Sequence, residues 1–561
     1  TCSAAAIRDP SRAVDGVFPD DLFTVSDGAT ATGRRVAVAD APWIADVPVA
    51  WQPMFKELDT LDGFGTAAPV FLRFTAPIAL PGPEAVRLIA LTDPPEDVAL
   101  DVSLLDDGQT LALDPRTPLV GATRHLVVAT RALQAADGGC VDAAGGPLPE
   151  ELAAADVAAD EVVVAATFTT QSVLQSSQAI AEAIVRRTPT WDGPARCEQQ
   201  QGRRHCERQF LAADFRGDDG IIDAPRPRGS YLLPVSIWIP DGAGPWPVII
   251  AGHGLSDSRA FGGFIDQLAG EPVAVVAIDS PFHGEHPGGV SGNPLFLLRD
   301  FFAVDLAART LAPRRMRDVF RTATFDKLQL LNLLRQAPDL DGDGLSDVDP
   351  SRLGYFGLSL GGILGGEFLA LAPGVEAAVL SVPGARITRI MRDSDTFGAL
   401  INSFLPAGAS DGAIKRIFGA IQTLADAGDP VNFAPHILRD RLPRAGEAPD
   451  LLVLMAVGDE VVPNTGTESL ARALGLPVLA PVSVPWDGVP VVEAGPLHAN
   501  LEGGVTAGLF QHARVSGGRP PSVRTADADH NNVTGSHEGI RQISHFLDAW
   551  LAGEAVEIIA P

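Results

Sequence analysis

From the start of the chain to about Thr170, short apolar runs alternate with Gly, Pro and Asp residues. The runs include APVFLRF, AVRLIAL, ALDVSLL and RHLVVAT. Apolar runs of this length, closed by turn-forming residues, predict β-strands. These strand-like runs do not alternate convincingly with helical stretches. The pattern therefore predicts an antiparallel, sandwich-like domain at residues 1–170.

A different pattern begins at Tyr231. Apolar runs such as YLLPVSIWIP, PVIIAGHG, VAVVAID, LGYFGLS, EAAVLSV and LLVLMAVGD are interspersed with helical stretches, the longest from Arg314 to Arg335. This alternation predicts an α/β fold at residues 229–561, with a doubly wound, mostly parallel sheet covered by helices on both faces. We assign residues 171–228 to a linker that contains a helix and a cysteine-bearing loop.

About seventy residues separate EAAVLSV from LLVLMAVGD, far more than a strand-to-helix connection needs. They predict a cap insertion at about residues 385–447. Its apolar side chains either line a pocket or pack onto the body of the domain. They are Phe397, Leu400, Ile401, Phe404, Ile417, Phe418 and Ile421.

Composition narrows the class of protein. A chain of 561 residues exceeds what one hydrophobic core usually supports, and 46% hydrophobic with 20% charged residues is typical of globular proteins. The formal charge of −28 disfavours nucleic acid and anionic membranes as partners. No apolar run reaches the roughly 18 residues of a transmembrane helix, and the first residues lack the features of a signal peptide, so we expect a processed chain.

The 4 cysteines predict disulfides rather than chemistry. Cys197 and Cys206 bracket the polar stretch CEQQQGRRHC, which predicts a small disulfide loop in an oxidising compartment and leaves Cys2 and Cys140 as the other pair. A zinc site is the alternative for this loop because His205 adjoins Cys206. Cys2, near the start, is alternatively a lipid attachment point.

The sequence GLSLGG after the run LGYF has the spacing of a nucleophile elbow, formed by Gly357, Ser359 and Gly361. A serine on a sharp bend between a strand and a helix needs strained backbone angles and small neighbours two residues away. The helix that follows directs its amino terminus at the site, which favours negative charge on an attacked carbonyl. Ser359 is therefore the predicted nucleophile.

A serine hydroxyl needs a base, and the base needs an acid to orient it. Asp459 follows the apolar run LLVLMAV and is the predicted acid, whereas its neighbour Glu460 is expected to point the other way. His530 lies in the loop TADADHNN before the last helix and is the predicted base, with His537 as the alternative.

An attacked carbonyl also needs two N–H donors for its oxygen. The residue after the nucleophile, Leu360, supplies one, and Leu255 in the loop AGHGLSDS is the candidate for the other. We expect His253 and Gly254 of that loop to border the substrate. His283, in IDSPFHGEHPGG, either lines the site or only packs its loop.

An acidic loop, DLDGDGLSDVD, precedes the nucleophile strand. Asp339, Asp341, Asp343 and Asp347 occupy positions 1, 3, 5 and 9 of an EF-hand-like pattern, but position 12 is Pro350 instead of Glu. A structural calcium ion and an acidic loop without metal both fit this sequence.

Together these motifs resemble bacterial extracellular lipases that carry a virulence-factor lipase amino-terminal domain, a group that includes cell-surface lysophospholipases. FPDDLF, TGRRV and LDTLDGFGTAAPVFLRF are similar to that family's front domain, and GHGL, DSPFHGE and GLSLGG to its catalytic part. The resemblance implies an α/β-hydrolase fold, hydrolysis of esters or lysophospholipids, no redox cofactor, and secretion or surface anchoring.

We therefore expect a serine carboxylester hydrolase that forms an acyl-enzyme on Ser359 and needs no cofactor for catalysis. Its substrate would be a small-molecule, lipid or polymer ester, with lysophospholipase and polyester hydrolase as alternatives. The expected location is secreted, periplasmic or on the bacterial cell surface, with lipid anchoring as an option. A surface binding protein with an inactive hydrolase body is the alternative outside the enzymes.

Overall fold

The computed structural model describes residues 2–9, 11, 16–146, 148–200, 202–260, 271–287, 294–518 and 523–561. The chain divides into two compact units. The first consists of Thr1–Gln175, Asp305–Pro313 and Asn402–Ala427, and the second of Ser176–Val304, Arg314–Ile401 and Gly428–Pro561.

The α-helices of the described residues, in chain order, are α1 (Gln52–Glu57), α2 (Pro149–Ala154), α3 (Gln175–Val185), α4 (Pro294–Asp300), α5 (Pro313–Gln336), α6 (Leu360–Leu371), α7 (Ile387–Asp393), α8 (Gly398–Asn402), α9 (Asp411–Ala425), α10 (Pro430–Phe433), α11 (Pro435–Leu438), α12 (Asn464–Leu474) and α13 (His537–Ala552). None of these helices is both long enough and apolar enough to cross a membrane.

The first unit is β-rich, as its short apolar runs predicted. Its strands are β1 (Ala4–Ile7), β2 (Thr24–Ser26), β3 (Arg34–Val36), β4 (Val70–Phe74), β5 (Val86–Ala90), β6 (Glu96–Asp97), β7 (Leu100–Leu105), β8 (Thr110–Pro115), β9 (Arg124–Thr130), β10 (Val141–Asp142) and β11 (Val162–Thr169). One sheet has the order β10-β1-β4-β8-β7 and another the order β11-β9-β5-β6, with antiparallel neighbours except for β1 and β10.

Alternating side chains build the core of this unit. On one face of the second sheet, Leu126, Val128 and Ala165 pack with Leu152 and Ala155 from α2 and its end. The side chains between them along β9 and β11 are buried as well, so both faces of these strands are covered.

The middle of the insertion, Asn402–Ala427, belongs to this first unit. Asp426 follows α9 and is fully buried, where its carboxylate accepts the backbone N–H of Thr66 at 2.7 Å. Gln171 donates its side-chain amide to the Thr423 carbonyl at 2.6 Å. Because unpaired buried polar groups are costly, these bonds hold α9 among the front residues rather than in a free-standing cap.

The second unit contains an 11-stranded sheet. The strands after residue 175 are β12 (Trp191–Gln200), β13 (Arg203–Asp214), β14 (Gly229–Pro240), β15 (Trp246–Gly252), β16 (Ala274–Ile278), β17 (Val304–Asp305), β18 (Thr310–Leu311), β19 (Val348–Leu358), β20 (Val375–Ser381), β21 (Asp450–Ala456), β22 (Val478–Leu479), β23 (Val491–Val492), β24 (Ala507–His512), β25 (Arg514–Gly517) and β26 (Arg524–Asp527).

The sheet order is β12-β13-β14-β16-β15-β19-β20-β21-β24-β22-β23. From β16 to β23 all neighbours are parallel, whereas β12, β13 and β14 are antiparallel to their neighbours. The predicted α/β fold with a mostly parallel sheet is thereby confirmed.

The central strands are apolar at nearly every position because helices cover both faces of the sheet. From α13, Ile543, Phe546, Leu547 and Trp550 belong to one core cluster with strand residues such as Phe356. Parallel packing of this kind brings the carboxyl ends of β15, β19, β20 and β21 to one edge of the sheet.

The cysteine loop is the tip of the β12–β13 hairpin, so residues 191–214 are part of the sheet and not a linker. The polar and exposed character of β12 hides this strand from the sequence pattern, because an edge hairpin buries little. Cys197 lies opposite Cys206 and forms a disulfide with it, and Cys2 forms the other with Cys140. Both thiols of the loop are thus oxidised and cannot serve as zinc ligands.

Candidate active site

Ser359 occupies the bend between β19 and α6. Its backbone angles, φ 53° and ψ −114°, lie where non-glycine residues are rarely found. Its N–H donates to the Ser381 carbonyl of the neighbouring strand, and its own carbonyl accepts from Ile363 in the first turn of α6. These bonds fix the strained bend and place the side chain at the carboxyl edge of the sheet, directly before a helix amino terminus.

The two glycines of the motif are required by close packing of backbone against backbone. A Cβ at Gly357 would lie 2.6 Å from the Gly361 carbonyl oxygen, and a Cβ at Gly361 would collide with the carbonyl of Gly252 on β15. The GxSxG spacing is therefore needed to bring α6 against the sheet, as the elbow geometry predicts.

The structure brings Ser359, His530 and Asp459 together. His530 Nε2 lies 2.7 Å from Ser359 Oγ, and His530 Nδ1 lies 2.9 and 2.8 Å from the two carboxylate oxygens of Asp459. Since an ionised carboxylate can only accept, Nδ1 carries the ring proton and Nε2 is free to accept the serine hydroxyl.

Asp459 is held rigidly in the turn after β21. Its Oδ1 accepts the backbone N–H groups of Val461 and Val462 at 2.9 and 2.7 Å, and its side chain is 2% exposed. These two N–H donors and the imidazole satisfy the buried carboxylate and fix its position beside the ring.

The loop that carries His530 is tied to the strands around it. The Asp529 carboxylate accepts the backbone N–H of Asn532 within the loop. The hydroxyl groups of Thr534 and Ser381 form a hydrogen bond of 2.7 Å. The sequence expectation that Glu460 points away from the site is wrong, because its Oε2 accepts the backbone N–H of His530 at 3.4 Å. His537, the alternative base, instead bonds the Gly518 carbonyl through Nε2.

The loop after β15 borders the other side of Ser359. A Cβ added to Gly254 would lie 3.6 Å from the Ser359 Cβ, so the backbone here runs directly past the hydroxyl. Leu255 lines the cavities beside Ser359, and Leu360 is the first residue of α6, where the N–H has no partner within the helix.

His253 lies behind this loop rather than in the cavity. Its Nε2 accepts the Ser280 N–H at 2.9 Å and its Nδ1 donates to the Gly254 carbonyl at 2.8 Å. Burial lowers the pKa of His253 to about 4, and that of the adjacent His283, whose ring centre is 5.1 Å away, also to about 4. Both rings are therefore neutral above pH 4 and brace the loop.

Two adjoining cavities open at Ser359. The outer one, of about 440 Å³, is bordered by both polar and apolar residues and includes His530. The inner one, of about 60 Å³, is lined almost entirely by apolar side chains. Phe397, predicted to touch substrate, lines both cavities, and Ile401 lines the inner one; Phe404 belongs to the first unit and lines neither cavity.

Sequence analysis missed most of the inner cavity. Its further lining comes from α4, α5 and α7 and from the segment between α4 and α5. The residues are Leu298, Phe302, Val304, Phe320, Ile387, Ile390 and Met391. Directly after the loop that follows β20, apolar residues recur at intervals of three and four positions, at Ile387, Ile390 and Met391. This spacing predicts an apolar helix face at the site.

The acidic loop before β19 has its own hydrogen bonds. One carboxylate oxygen each from Asp339, Asp341 and Asp347 lies within 4.8 Å of the others, while Asp343 accepts the Leu345 N–H. Arg204 forms an ion pair with Asp341, so a cation already neutralises part of the cluster. The three grouped carboxylates are the type of donor that calcium prefers. Asp343 is not part of this group, and Pro350 at position 12 offers no carboxylate, so the usual ligand set of calcium is incomplete. The calcium site stays a prediction.

No protein-family model and no curated protein matches the chain. Among solved structures it is similar to acetyl xylan esterase 1 from a Thermoanaerobacterium species, with 16% identity, a TM-score of 0.40, and coverage of 67% of this chain and 93% of the other. An acetyl xylan esterase from a Paenibacillus species has 17% identity and a TM-score of 0.37, covering 61% and 89%. An esterase from Pyrococcus furiosus has 12% identity and a TM-score of 0.34, covering 64% and 99%.

Proposed function

We propose that this protein is a serine carboxylester hydrolase that works through an acyl-enzyme on Ser359. The observation that carries the proposal is the continuous hydrogen-bonded chain from the Ser359 hydroxyl through the His530 imidazole to the buried Asp459 carboxylate. A hydroxyl, a base and an orienting acid in this order are the working parts of acyl transfer.

In the first half of the reaction, Ser359 Oγ attacks the ester carbonyl carbon while His530 Nε2 takes the hydroxyl proton. Asp459 stabilises the imidazolium that forms. The imidazolium then gives this proton to the alcohol oxygen as the carbon–oxygen bond breaks, and the alcohol leaves an acyl group on Ser359. In the second half, water attacks the acyl carbon, loses a proton to His530, and the carboxylic acid departs with the serine restored.

The tetrahedral intermediate of each half carries negative charge on the former carbonyl oxygen. We propose that the backbone N–H groups of Leu360 and Leu255 bind this oxygen. The position of Leu360 at the start of a 12-residue helix supports its role, because unpaired N–H groups and the helix dipole both favour an anion there. The close approach of the Gly254 backbone to Ser359 supports the role of Leu255.

Replacing Ser359 with Ala tests the proposal. We expect kcat for p-nitrophenyl acetate to fall by about 10⁴-fold or more, because the nucleophile is lost while the fold remains. A fluorophosphonate probe should label the native protein and not the variant. Ser469 is also buried but lies on α12 outside both cavities, so Ser469→Ala is the matched control and should keep its activity.

A folded native protein that neither hydrolyses esters nor reacts with the probe would overturn the proposal and favour the alternative of a binding protein. The candidate substrate classes within the proposal are small-molecule, lipid and polymer esters. We also propose an oxidising location, secreted, periplasmic or at the cell surface, because the structure has disulfides at Cys2–Cys140 and Cys197–Cys206.

A further inference from the structure

The two cavities at Ser359 are chemically unlike, and this difference bears on which ester would fit. They share only six lining residues, namely Leu255, Leu298, Phe302, Ser359, Phe397 and Val461. Because both cavities include Ser359, an ester held there can extend its acyl part into one cavity and its alcohol part into the other.

The inner cavity is the smaller of the two and is apolar. Beyond the shared residues it is lined by apolar groups that include Phe320, Ile387, Met391 and Ile401, each at most 5% exposed. A hydroxyl or charged group pushed into this cavity would lose its water without gaining a partner. Its volume is about 60 Å³, room for a few water-sized groups, which favours a short acyl chain over a long one.

The outer cavity is larger and partly polar. Its volume is about 440 Å³, and Ser256, Asp257, Thr396, Asn531 and Thr534 are among its lining residues. Of the described residues that border it, Asp257 is acidic and none is Lys or Arg. An anionic group would meet no Lys or Arg among these described residues, and the net charge of −28 adds to the repulsion.

We infer that the substrates are esters of short aliphatic acids, with acyl chains of about two to six carbons, on larger polar alcohols that carry no negative charge. This inference rests on the proposed function. The acyl chain occupies the inner cavity and the alcohol the outer one. The inference disfavours long-chain lipids and lysophospholipids, the substrates that the sequence resemblance implies.

Met391 is one of the side chains that line the inner cavity. It lies on α7, on the same face as Ile387 and one helical turn further along. The start of α7 is fixed because the Asp429 carboxylate accepts the backbone N–H groups of Arg386 and Ile387 at 3.0 and 2.7 Å. Replacing Met391 with Ala removes a long thioether side chain from the lining of this cavity and enlarges it.

The test measures kcat/KM with p-nitrophenyl acetate, butyrate and octanoate. We expect the native protein to prefer butyrate over octanoate by at least about tenfold, and Met391→Ala to reduce this preference by about tenfold. Met54, in the first unit, is 5% exposed like Met391 and lines neither cavity, so Met54→Ala is the matched control and should keep the native ratio. Ile401→Val serves as the milder variant if Met391→Ala does not fold, with a smaller shift in the same direction.

The alcohol side is tested with glycerol monobutyrate and its phosphorylated counterpart, which share one acyl group and differ in charge. We expect the neutral ester to be preferred by at least about tenfold. An octanoate rate equal to the butyrate rate, an unchanged ratio in Met391→Ala, or equal use of the phosphorylated ester would overturn the inference while leaving ester hydrolysis intact. Failure of every ester together with absent probe labelling of Ser359 would instead overturn the proposed function.

Discussion

The loops that carry His530 and His253 flank Ser359. Both imidazoles have the same tautomer, but the groups to which their Nδ1 atoms donate differ in charge. His530 and His253 each use Nδ1 as the donor and Nε2 as the acceptor. Nδ1 of His530 faces the carboxylate of Asp459, whereas Nδ1 of His253 donates to the carbonyl of Gly254. The partners of Nε2 differ as well: Nε2 of His530 faces the Ser359 hydroxyl, and Nε2 of His253 accepts the Ser280 N–H.

The difference separates a ring that can take up a proton from one that stays neutral. A carboxylate beside Nδ1 stabilises the imidazolium that forms during acyl transfer. A carbonyl dipole in a fully enclosed place cannot offset the loss of hydration, and burial accordingly lowers the pKa of His253 to about 4. In the proposed reaction His530 moves protons, and His253 positions the loop of Gly254 and Leu255.

The largest effect should come from removing the charge behind His530. In Asp459→Asn, the amide can bond the ring without stabilising the imidazolium and can also favour the wrong tautomer. We expect kcat to fall by about 10⁴-fold with little change in fold, as measured by p-nitrophenyl acetate turnover and circular dichroism. Activity within tenfold of the native protein would mean that His530 does not depend on this carboxylate, and the contrast with His253 would fail.

Replacing His253 should have an intermediate effect. His253→Phe keeps the ring volume but removes both hydrogen bonds that position the loop of Gly254 and Leu255. We expect kcat to fall by about 10²-fold, the size of losing one oxyanion donor, with little change in the pH profile of the remaining activity. His125 in the first unit is also buried, bonds a backbone carbonyl and has a pKa lowered to about 4, so His125→Phe is the matched control. Equal losses in both variants would assign the effect of His253 to general stability.

The third prediction concerns the pH dependence of stability. Burial lowers the pKa values of His253, His283 and His512 from 6.5 to about 4, so the unfolded chain binds more protons than the folded chain between these values. Stability is thus complete above about pH 6.5 and is lost as the pH falls towards 4, by at most roughly 3 kcal/mol for each ring. Urea denaturation at pH 7.5 and 4.5 measures this loss.

His283→Phe sharpens the same measurement. Its Nε2 has no hydrogen-bond partner within the described part of the chain, and the ring packs against Phe301. Phenylalanine keeps this ring contact and gives up the hydrogen bond that Nδ1 donates to the Pro281 carbonyl. The variant should lose less stability than the native protein between pH 7.5 and 4.5. An identical loss in both proteins would show that His283 does not resist protonation.

Local features of this protein could be predicted from the sequence. The elbow at Ser359 depends on a window of five residues, because only glycine fits where backbone meets backbone, and the apolar strands identify themselves by their composition. The Cys197–Cys206 pair is local for the same reason, since one hairpin turn brings the two strands side by side. Backbone sterics and burial act over short distances along the chain, so short patterns record them.

Other features depend on the order of the strands. Asp459 and His530 are separated by 71 residues. The sequence indicates the loop in which each of them lies, but the two loops become neighbours through the parallel pairing of β21 with β24. The orientation of Glu460, the inner cavity lined by Met391 and Phe320, and the membership of Asn402–Ala427 in the first unit were likewise decided only by the tertiary structure. Each is a contact between segments remote in the chain, and no single segment contains the information about which partner it will meet.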